Sequence, residues 1–282
     1  MWDRVDGTRV KRLGQGTWKM GEDATQRQVE IDALKAGFDE DLWLVDTAEM
    51  YADGGSERVV GEAIRGVRDK VFLTTKVWPT HGSVQGIEHS LSESLKRLKT
   101  DAVDLYLLHW PSQDFPLEET MAGLLAVLKQ GMTRYVGVSN FPRSLWDESW
   151  SLTDGAVKVN QVDFSLGVRT PELSLLSYAE QHGASLMAYS PLRNVLHEDL
   201  TRERRTTLTR LAEKYGVTIA ALALAWVLAP RSAEIVAIAK ASQEAHVRQN
   251  ARALEVHLSE EDRQVLEALY PLPEDDLTLE AY

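Results

Sequence analysis

The sequence predicts an α/β protein built as a (β/α)8 barrel, and three observations predict it. Eight short apolar runs recur along the chain, helix-period segments alternate with them from end to end, and no Pro/Gly/Ser-rich linker is long enough to separate domains. Residues 1–282 are therefore expected to form a single barrel domain, with a doubly wound open sheet as the alternative architecture. In order, the strand candidates are residues 13–17, 42–45, 71–77, 103–109, 135–138, 157–162, 185–189 and 235–238. The segment before Leu13 is too short to be a domain and is expected to be a small hairpin closing the barrel floor.

Helices are expected between the strands. Asp23 followed by Gln26 has capping-box spacing at the head of the first helical pattern. Val84, Ile87, Leu91, Leu95 and Leu98 recur at three and four residues, as do Met121, Leu124, Leu125 and Leu128, so each set lies on one face. Two helical patterns, 206–215 and 219–228, precede the last strand, and two more, 243–254 and 260–269, follow it. Ser259 followed by Asp262 marks the start of the final one. The tail from Pro271, with Glu274, Asp275 and Asp276, is expected to be solvated.

Composition narrows the function. At 282 residues, 44% hydrophobic and 26% charged, the chain is expected to be a soluble globular protein able to bury one large core. A formal charge of −12 argues against nucleic acid or an anionic membrane as partner, because both attract basic surfaces. With no cysteine there is no disulfide framework, thiolate nucleophile or Cys-ligated zinc. The start, Met-Trp-Asp-Arg-Val-Asp, lacks a basic and apolar leader, and no uncharged apolar run reaches the roughly 18 residues of a membrane span. Cytoplasmic residence is the expectation.

Several chemistries drop out on spacing. Gly14-Gln15-Gly16 begins like a dinucleotide fingerprint, but Lys19 stands where the third glycine belongs. Gly137-Val-Ser139-Asn-Phe141 has Phe where a nucleophile elbow needs its second glycine. The seven histidines include no pair three or four residues apart, so no metal site is expected.

What remains gathers at strand ends. Asp46-Thr-Ala-Glu-Met-Tyr51 follows the second apolar run, and Lys76 and His109 close the third and fourth. On a barrel, all four meet at the carboxyl edge of the sheet, where such folds keep their active sites. A tyrosine, with an ordinary pKa of about 10, needs help to act as an acid at neutral pH. Lys76 is the candidate helper: at ~4 Å and an effective dielectric of ~20 its attraction is worth about 4 kcal/mol, enough to bring Tyr51 toward neutral pH. Asp46 would keep that lysine charged, and a neutral His109 would direct a ring N–H at a substrate oxygen.

These residues resemble the aldo-keto reductase family, whose Asp, Tyr, Lys and His tetrad matches Asp46, Tyr51, Lys76 and His109. The likeness runs from Gly14 to about Ser259. It includes Gly14-Gln-Gly-Thr-Trp18, Leu107-Leu-His-Trp-Pro111, Gly137-Val-Ser-Asn-Phe141, Asn160-Gln-Val162 and Ala188-Tyr-Ser-Pro-Leu192 in family order. Gly-Glu-Asp after Lys19-Met20, with Tyr51-Ala-Asp-Gly-Gly55, is most similar to bacterial methylglyoxal and diketogluconate reductases.

The resemblance implies a monomeric enzyme that reduces small carbonyl compounds with a nicotinamide laid across the barrel mouth, Tyr51 giving the proton. It places Ser139, Asn140 and Gln161 on the carboxamide, Tyr189 against the nicotinamide ring, Ser190 and Leu192 along the pyrophosphate, and Thr17 and Trp18 beside the cofactor. At the adenosine end it implies Lys240 near the 2′-phosphate and Gln249 and Asn250 at adenine, with Ser242 also among the cofactor-binding residues. This chain departs from the family there: Ala239 replaces a proline, and His246 stands where the family has an arginine. Bidentate phosphate recognition is thus lost, while Lys240 keeps a point charge and Arg248 is the candidate to compensate. NADPH is expected over NADH.

Trp18, Trp78 and Trp110 fall at strand ends beside the tetrad and are expected to wall the substrate pocket. With short loops around it, a wide site for small aldehydes, α-oxoaldehydes or sugar-derived ketones follows. Two other readings stay open at this point. Lys76 is also placed to form a Schiff base, as in class I aldolases, and the same fold serves in non-catalytic, cofactor-sensing subunits.

Overall fold

Each apolar run becomes a strand, and the strands close on one another. The computed structural model describes residues 2–4, 7–196 and 200–274. Its first half runs β1 (Leu13–Gly16), α1 (Arg27–Asp39), β2 (Leu44–Asp46), α2 (Gly55–Ala63), β3 (Phe72–Val77), α3 (Val84–Leu98), β4 (Val103–Leu108), α4 (Leu117–Lys129). Its second half runs β5 (Thr133–Ser139), α5 (Arg143–Leu152), β6 (Val157–Asp163), α6 (Leu175–His182), β7 (Ser185–Tyr189), α7 (Arg202–Tyr215), α8 (Ile219–Val227), β8 (Glu234–Lys240), α9 (Glu244–Ala251) and α10 (Glu260–Leu269). Strands pair in parallel in chain order, and β8 returns to β1, Leu13 opposite Ala237, to close the barrel. The open-sheet alternative is thereby excluded.

Strand ends differ from the apolar runs for readable reasons. Leu42 lies outside the ladder, and its carbonyl accepts the buried Gln15 side-chain amide at 3.0 Å instead. Strand β5 starts two residues early, at Thr133 and Arg134, and β8 runs from Glu234 to Lys240. Polar residues at the rims of a barrel strand keep their backbone in the ladder while their side chains reach partners, as Arg134 reaches Asp104 at 2.7 Å. Asp23 accepts from the Thr25 amide at 2.8 Å and caps a short 3-10 turn, Ala24–Gln26, rather than α1 itself. Ser259 does cap α10 through the Asp262 amide at 3.2 Å.

Two apolar layers hold the barrel. Leu44, Phe72, Leu105, Leu107, Val159, Met187, Val236 and Ile238 fill its interior. A larger cluster lies between strands and outer helices. The expected floor hairpin is present, with Asp3 bridged antiparallel to Arg9. Its Trp2 is buried among the interior residues, its indole N–H donates to Ser185 Oγ at 3.1 Å, and its ring lies 5.3 Å from that of Phe72. One end of the barrel is plugged in this way, which leaves the carboxyl end for ligands. Of the tail, Pro271 to Glu274 is exposed, while Asp275 and Asp276 lie outside the described residues.

The carboxyl end collects the chemistry. Asp46, Ser139, Tyr189 and Lys240 are the last residues of β2, β5, β7 and β8; Lys76 is next to last in β3, and His109 follows β4 directly. Loops around this rim pack closely enough to demand glycine. Gly21, at φ +82°, leaves no room for a Cβ, which would lie 2.5 Å from the backbone of Gly55, so the loops carrying Trp18 and Tyr51 touch main chain to main chain. Among the described residues no helix is long and apolar enough to cross a membrane.

Candidate active site

A fully buried lysine sits at the centre of the rim. Lys76 Nζ donates to Asp46 Oδ1 at 2.6 Å, to the Thr47 carbonyl at 2.9 Å and to the Tyr51 hydroxyl oxygen at 3.4 Å. Its three hydrogens thus have three acceptors, a full complement for an ammonium. Burial acts to strip the proton from Lys76, but the Asp46 charge, the Tyr51 oxygen and their hydrogen bonds outweigh it and hold its pKa above the ordinary lysine value. A charged, fully hydrogen-bonded ammonium has no lone pair to attack a carbonyl, so the Schiff-base reading finds no support in the structure.

Tyr51 corrects one expectation. Burial raises its pKa above that of an ordinary phenol; Lys76 pulls it down, Asp46 pushes it up, and the balance stays upward. Lys76 therefore does not pre-ionise the phenol. Because the ammonium donates to the phenol oxygen, Tyr51 keeps its own proton free to give. His109 meets the expectation of neutrality, since burial, with Lys76 adding to it, pushes its pKa well below the ordinary value. Its Nδ1 is buried with no hydrogen-bond partner among the described residues, which leaves Nε2 as the nitrogen with access to the mouth. The rings of Tyr51 and Trp78 meet the His109 ring edge-on, at 5.7 and 5.5 Å.

The tryptophans divide. Trp78 lies against His109 and is half-buried, as is Trp110. Trp18 is 57% exposed, with Lys19 Nζ 4.7 Å from its ring centroid, and forms an open flank rather than a closed wall.

The other predicted positions lie along the same rim. Gln161 donates from Nε2 to Asp46 Oδ2 at 2.8 Å, so Asp46 bridges it to Lys76, a link that spacing alone does not reveal across 115 residues. Asn140, at φ +62°, donates to the His109 carbonyl and to Ser139 Oγ and accepts from the Tyr189 hydroxyl at 2.8 Å. Thr17 is fully buried, its hydroxyl donating to the Asp46 carbonyl at 2.9 Å, so it braces the β2 loop from beneath. Ser190, at φ +47°, and Leu192, whose side chain packs against the main core, continue from Tyr189. The sequence reading missed Asp163 and Arg193, ion-paired at 2.9 Å, which tie that loop to β6. Burial, opposed by Arg193, lifts the Asp163 carboxyl to about 6.

Lys240 is exposed, reaches Ser242 Oγ at 3.2 Å and has no carboxylate in ion-pair range among the described residues. His246 and Gln249 are exposed on α9 or at its margin. Asn250 is instead buried, lining a cavity of about 10 Å³ with Leu13, Gln15 and Val247. Arg248 does not replace the missing arginine, because Glu40 holds it at 2.7 Å, with Asp39 and Glu244 close by. A half-buried aromatic ring pinned at the mouth, polar side chains beside it and an uncommitted cation further along fit an extended dinucleotide.

Comparison with known proteins agrees with this geometry. The model of the aldo/keto reductase family matches residues 12–271. Over 269 residues the chain is 44% identical to methylglyoxal reductase YeaE of Escherichia coli (strain K12), covering 95% of this chain and 94% of that protein. An aldo-keto reductase of Klebsiella pneumoniae, solved in complex with NADPH, superposes with a TM-score of 0.89 at 41% identity, covering 99% of this chain and 98% of that one. A second solved structure, an aldo/keto reductase from Klebsiella pneumoniae in complex with NADP and acetate, gives 0.88 at 41%, covering 96% and 95%. Fold and site define a (β/α)8-barrel oxidoreductase. The chain belongs to the aldo/keto reductase family.

Removing Asp46 exposes the cost of burying Lys76. Asp46→Asn is expected to lose about 3–5 kcal/mol of stability at pH 7, the usual cost of orphaning a buried ion. In the native protein the raised Lys76 pKa contributes stability that is present below the unfolded lysine value and is lost as pH rises through the folded one. Without Asp46 the lysine pKa falls below its ordinary value, so the folded variant sheds a proton that the unfolded chain keeps, and its penalty shrinks as pH rises. Urea denaturation of both proteins at pH 7 and pH 9 checks this; an equal penalty at both would contradict it.

Proposed function

We propose that this protein reduces small aldehydes and α-oxoaldehydes, methylglyoxal among them, to alcohols with NADPH, and that Tyr51 is the proton donor. The observation that carries the reading is Lys76 Nζ set between Asp46 Oδ1 and the Tyr51 hydroxyl, with neutral His109 alongside. Similarity to methylglyoxal reductase YeaE and to NADPH- and NADP-bound Klebsiella enzymes supports both substrate class and cofactor. Asp46, Tyr51, Lys76 and His109 form the catalytic set of this reading.

The carbonyl oxygen of a substrate lies between the Tyr51 hydroxyl and His109 Nε2. His109 holds it through a neutral N–H, which fixes the carbonyl and stabilises charge as it builds on oxygen. Tyr51 then gives its proton to that oxygen. An alkoxide is a far stronger base than a phenolate, so transfer runs downhill even from a phenol whose pKa is raised. Lys76 stabilises the phenolate left behind, and Asp46 keeps Lys76 charged to do so. The ammonium thus acts after the proton leaves, not before.

Ser139, Asn140, Gln161 and Tyr189 would hold the nicotinamide end of the cofactor. Gln161 Oε1 has no protein partner among the described residues and suits a carboxamide N–H. Ser190 and Leu192 would follow the pyrophosphate, Trp18 would lie beside the cofactor, and Lys240, Ser242, His246 and Gln249 would hold the adenosine end, with the buried Thr17 and Asn250 supporting these segments from beneath rather than touching the cofactor. When bound there, the nicotinamide supplies the reducing equivalents. The open flank at Trp18, with Trp78 and Trp110 half-buried nearby, gives small aldehydes and α-oxoaldehydes a way in to Tyr51 and His109. The reading also takes the protein to be a cytoplasmic monomer.

Loss of nicotinamide absorbance on adding methylglyoxal to enzyme and NADPH tests the activity, and no turnover with any small aldehyde refutes it. Tyr51→Phe is expected to abolish that turnover while NADPH affinity, read by tryptophan fluorescence, changes little; a large loss of binding would remove the assigned role. Lys240→Ala is expected to weaken NADPH at least about tenfold more than NADH, as removal of a charge-assisted phosphate contact does. Equal losses for the two cofactors would remove the phosphate assignment.

A further inference from the structure

The Asp46–Tyr51 loop carries a second carboxylate that the reaction does not use. Glu49 lies between Asp46 and Tyr51, and its side chain is only 10% exposed. Among the described residues no lysine or arginine lies within ion-pair reach of it; its one ion-pair partner is His81, itself 53% exposed, and its charge also acts on the buried Tyr106 phenol. Burying a carboxylate costs free energy unless hydrogen bonds repay it. The bonds it makes all run to the β3 side of the site. Glu49 Oε1 accepts from the Trp78 backbone N–H at 2.7 Å and contacts His81 Nδ1 at 2.9 Å, and that nitrogen also meets Ser90 Oγ of α3 at 3.1 Å. The Glu49 N–H donates to the Lys76 carbonyl at 3.3 Å.

Trp78 is where this brace touches the chemistry. Neither ring nitrogen of His109 has a side-chain or backbone hydrogen bond among the described residues, so no polar contact sets the plane of its ring. Its orientation comes from packing. The Trp78 ring meets it at 88° with centroids 5.5 Å apart, and the backbone N–H of His109 donates to the Val77 carbonyl, on the peptide whose N–H Glu49 holds. One carboxylate oxygen therefore fixes the backbone of the residue that walls His109, and its own chain segment leads two residues on to Tyr51.

We propose that Glu49 is a positioning residue of the reduction: through Trp78 it sets the orientation of the His109 ring relative to the Tyr51 hydroxyl. The inference rests on the reductase reading above and adds to it a residue outside the tetrad. A carboxylate serves better than an apolar residue here because the Trp78 N–H, at the end of β3, would otherwise be left without a partner in a half-buried loop.

The test compares Glu49→Ala, Glu49→Gln and His81→Ala with the wild type. Rates of methylglyoxal reduction are divided by the concentration of NADPH sites titrated by fluorescence, so that loss of folded protein does not count. Glu49→Ala is expected to lower kcat about 10- to 100-fold, the usual penalty for small misplacement of a reacting group, with NADPH affinity changed less than about twofold. Glu49→Gln keeps an oxygen for the Trp78 N–H and is expected to recover most of the rate. His81→Ala leaves that bond in place and is expected to keep the rate within about twofold. The ¹⁵N and ring-proton NMR shifts of His109 are expected to move in Glu49→Ala and not in His81→Ala, a readout independent of turnover.

Unchanged kcat and unchanged His109 shifts in Glu49→Ala overturn the proposal, as does a Gln variant no better than Ala, or a His81 variant as impaired as Glu49→Ala. A wild-type enzyme that reduces no small aldehyde overturns the reductase reading itself, and this proposal with it. A working wild type with an indifferent Glu49 overturns this proposal alone.

Discussion

A buried ammonium has to be matched on every side, and Lys76 is matched by a carboxylate, a carbonyl and a phenol drawn from β2 and the loop that follows it. The site depends on that requirement. Charge in a barrel interior is tolerable only with an opposite charge and saturated hydrogen bonds, so Asp46 and the β2 loop must take up one arrangement around β3. Tyr51 is held by the same demand. Gln161 then finds the second oxygen of Asp46, which couples β6 to β2 across the mouth, and Thr17 supports the Asp46 backbone from the end of β1.

The consequence for chemistry is a division of labour set by burial. Two neutral groups face the mouth, a phenol that holds its proton and an imidazole whose burial disfavours gaining one, while the positive charge of Lys76 stands behind the phenol. In the proposed reaction such a site would meet an uncharged carbonyl without charge and would stabilise charge only where it develops. Electrostatic groups already in place, needing no rearrangement, are the most effective kind of catalyst. The exposed Lys240 and the half-buried Tyr189 extend the same rim toward a longer ligand.

Much of this is legible in the sequence. The eight apolar runs mark the strands because interior barrel positions demand apolar residues whatever else the chain does, and Asp46, Lys76 and His109 stand out by ending such runs. The polar strand ends at Thr133, Arg134, Glu234 and Lys240 are hidden by the same criterion. The Tyr51 pKa is misread from sequence because a pairwise attraction to Lys76 is visible there, whereas the burial that opposes it is a property of the folded whole. Arg248 is on the expected helix, yet its partners Asp39 and Glu40 come from the end of α1, far away in sequence. Asn250 likewise faces the β1 wall rather than the rim. Glu49 carries no signal beyond its place in the loop, since what it does depends on a backbone N–H at the end of another strand.

The charge on Lys76 can be observed directly. Titration of its Nζ by ¹⁵N NMR, assigned by loss of the signal in Lys76→Met, should show an ammonium that persists from neutral pH to beyond the range in which exposed lysines of the same protein lose their protons. A Lys76 that deprotonates near neutral pH would leave Tyr51 without its positive neighbour and would contradict the site as described.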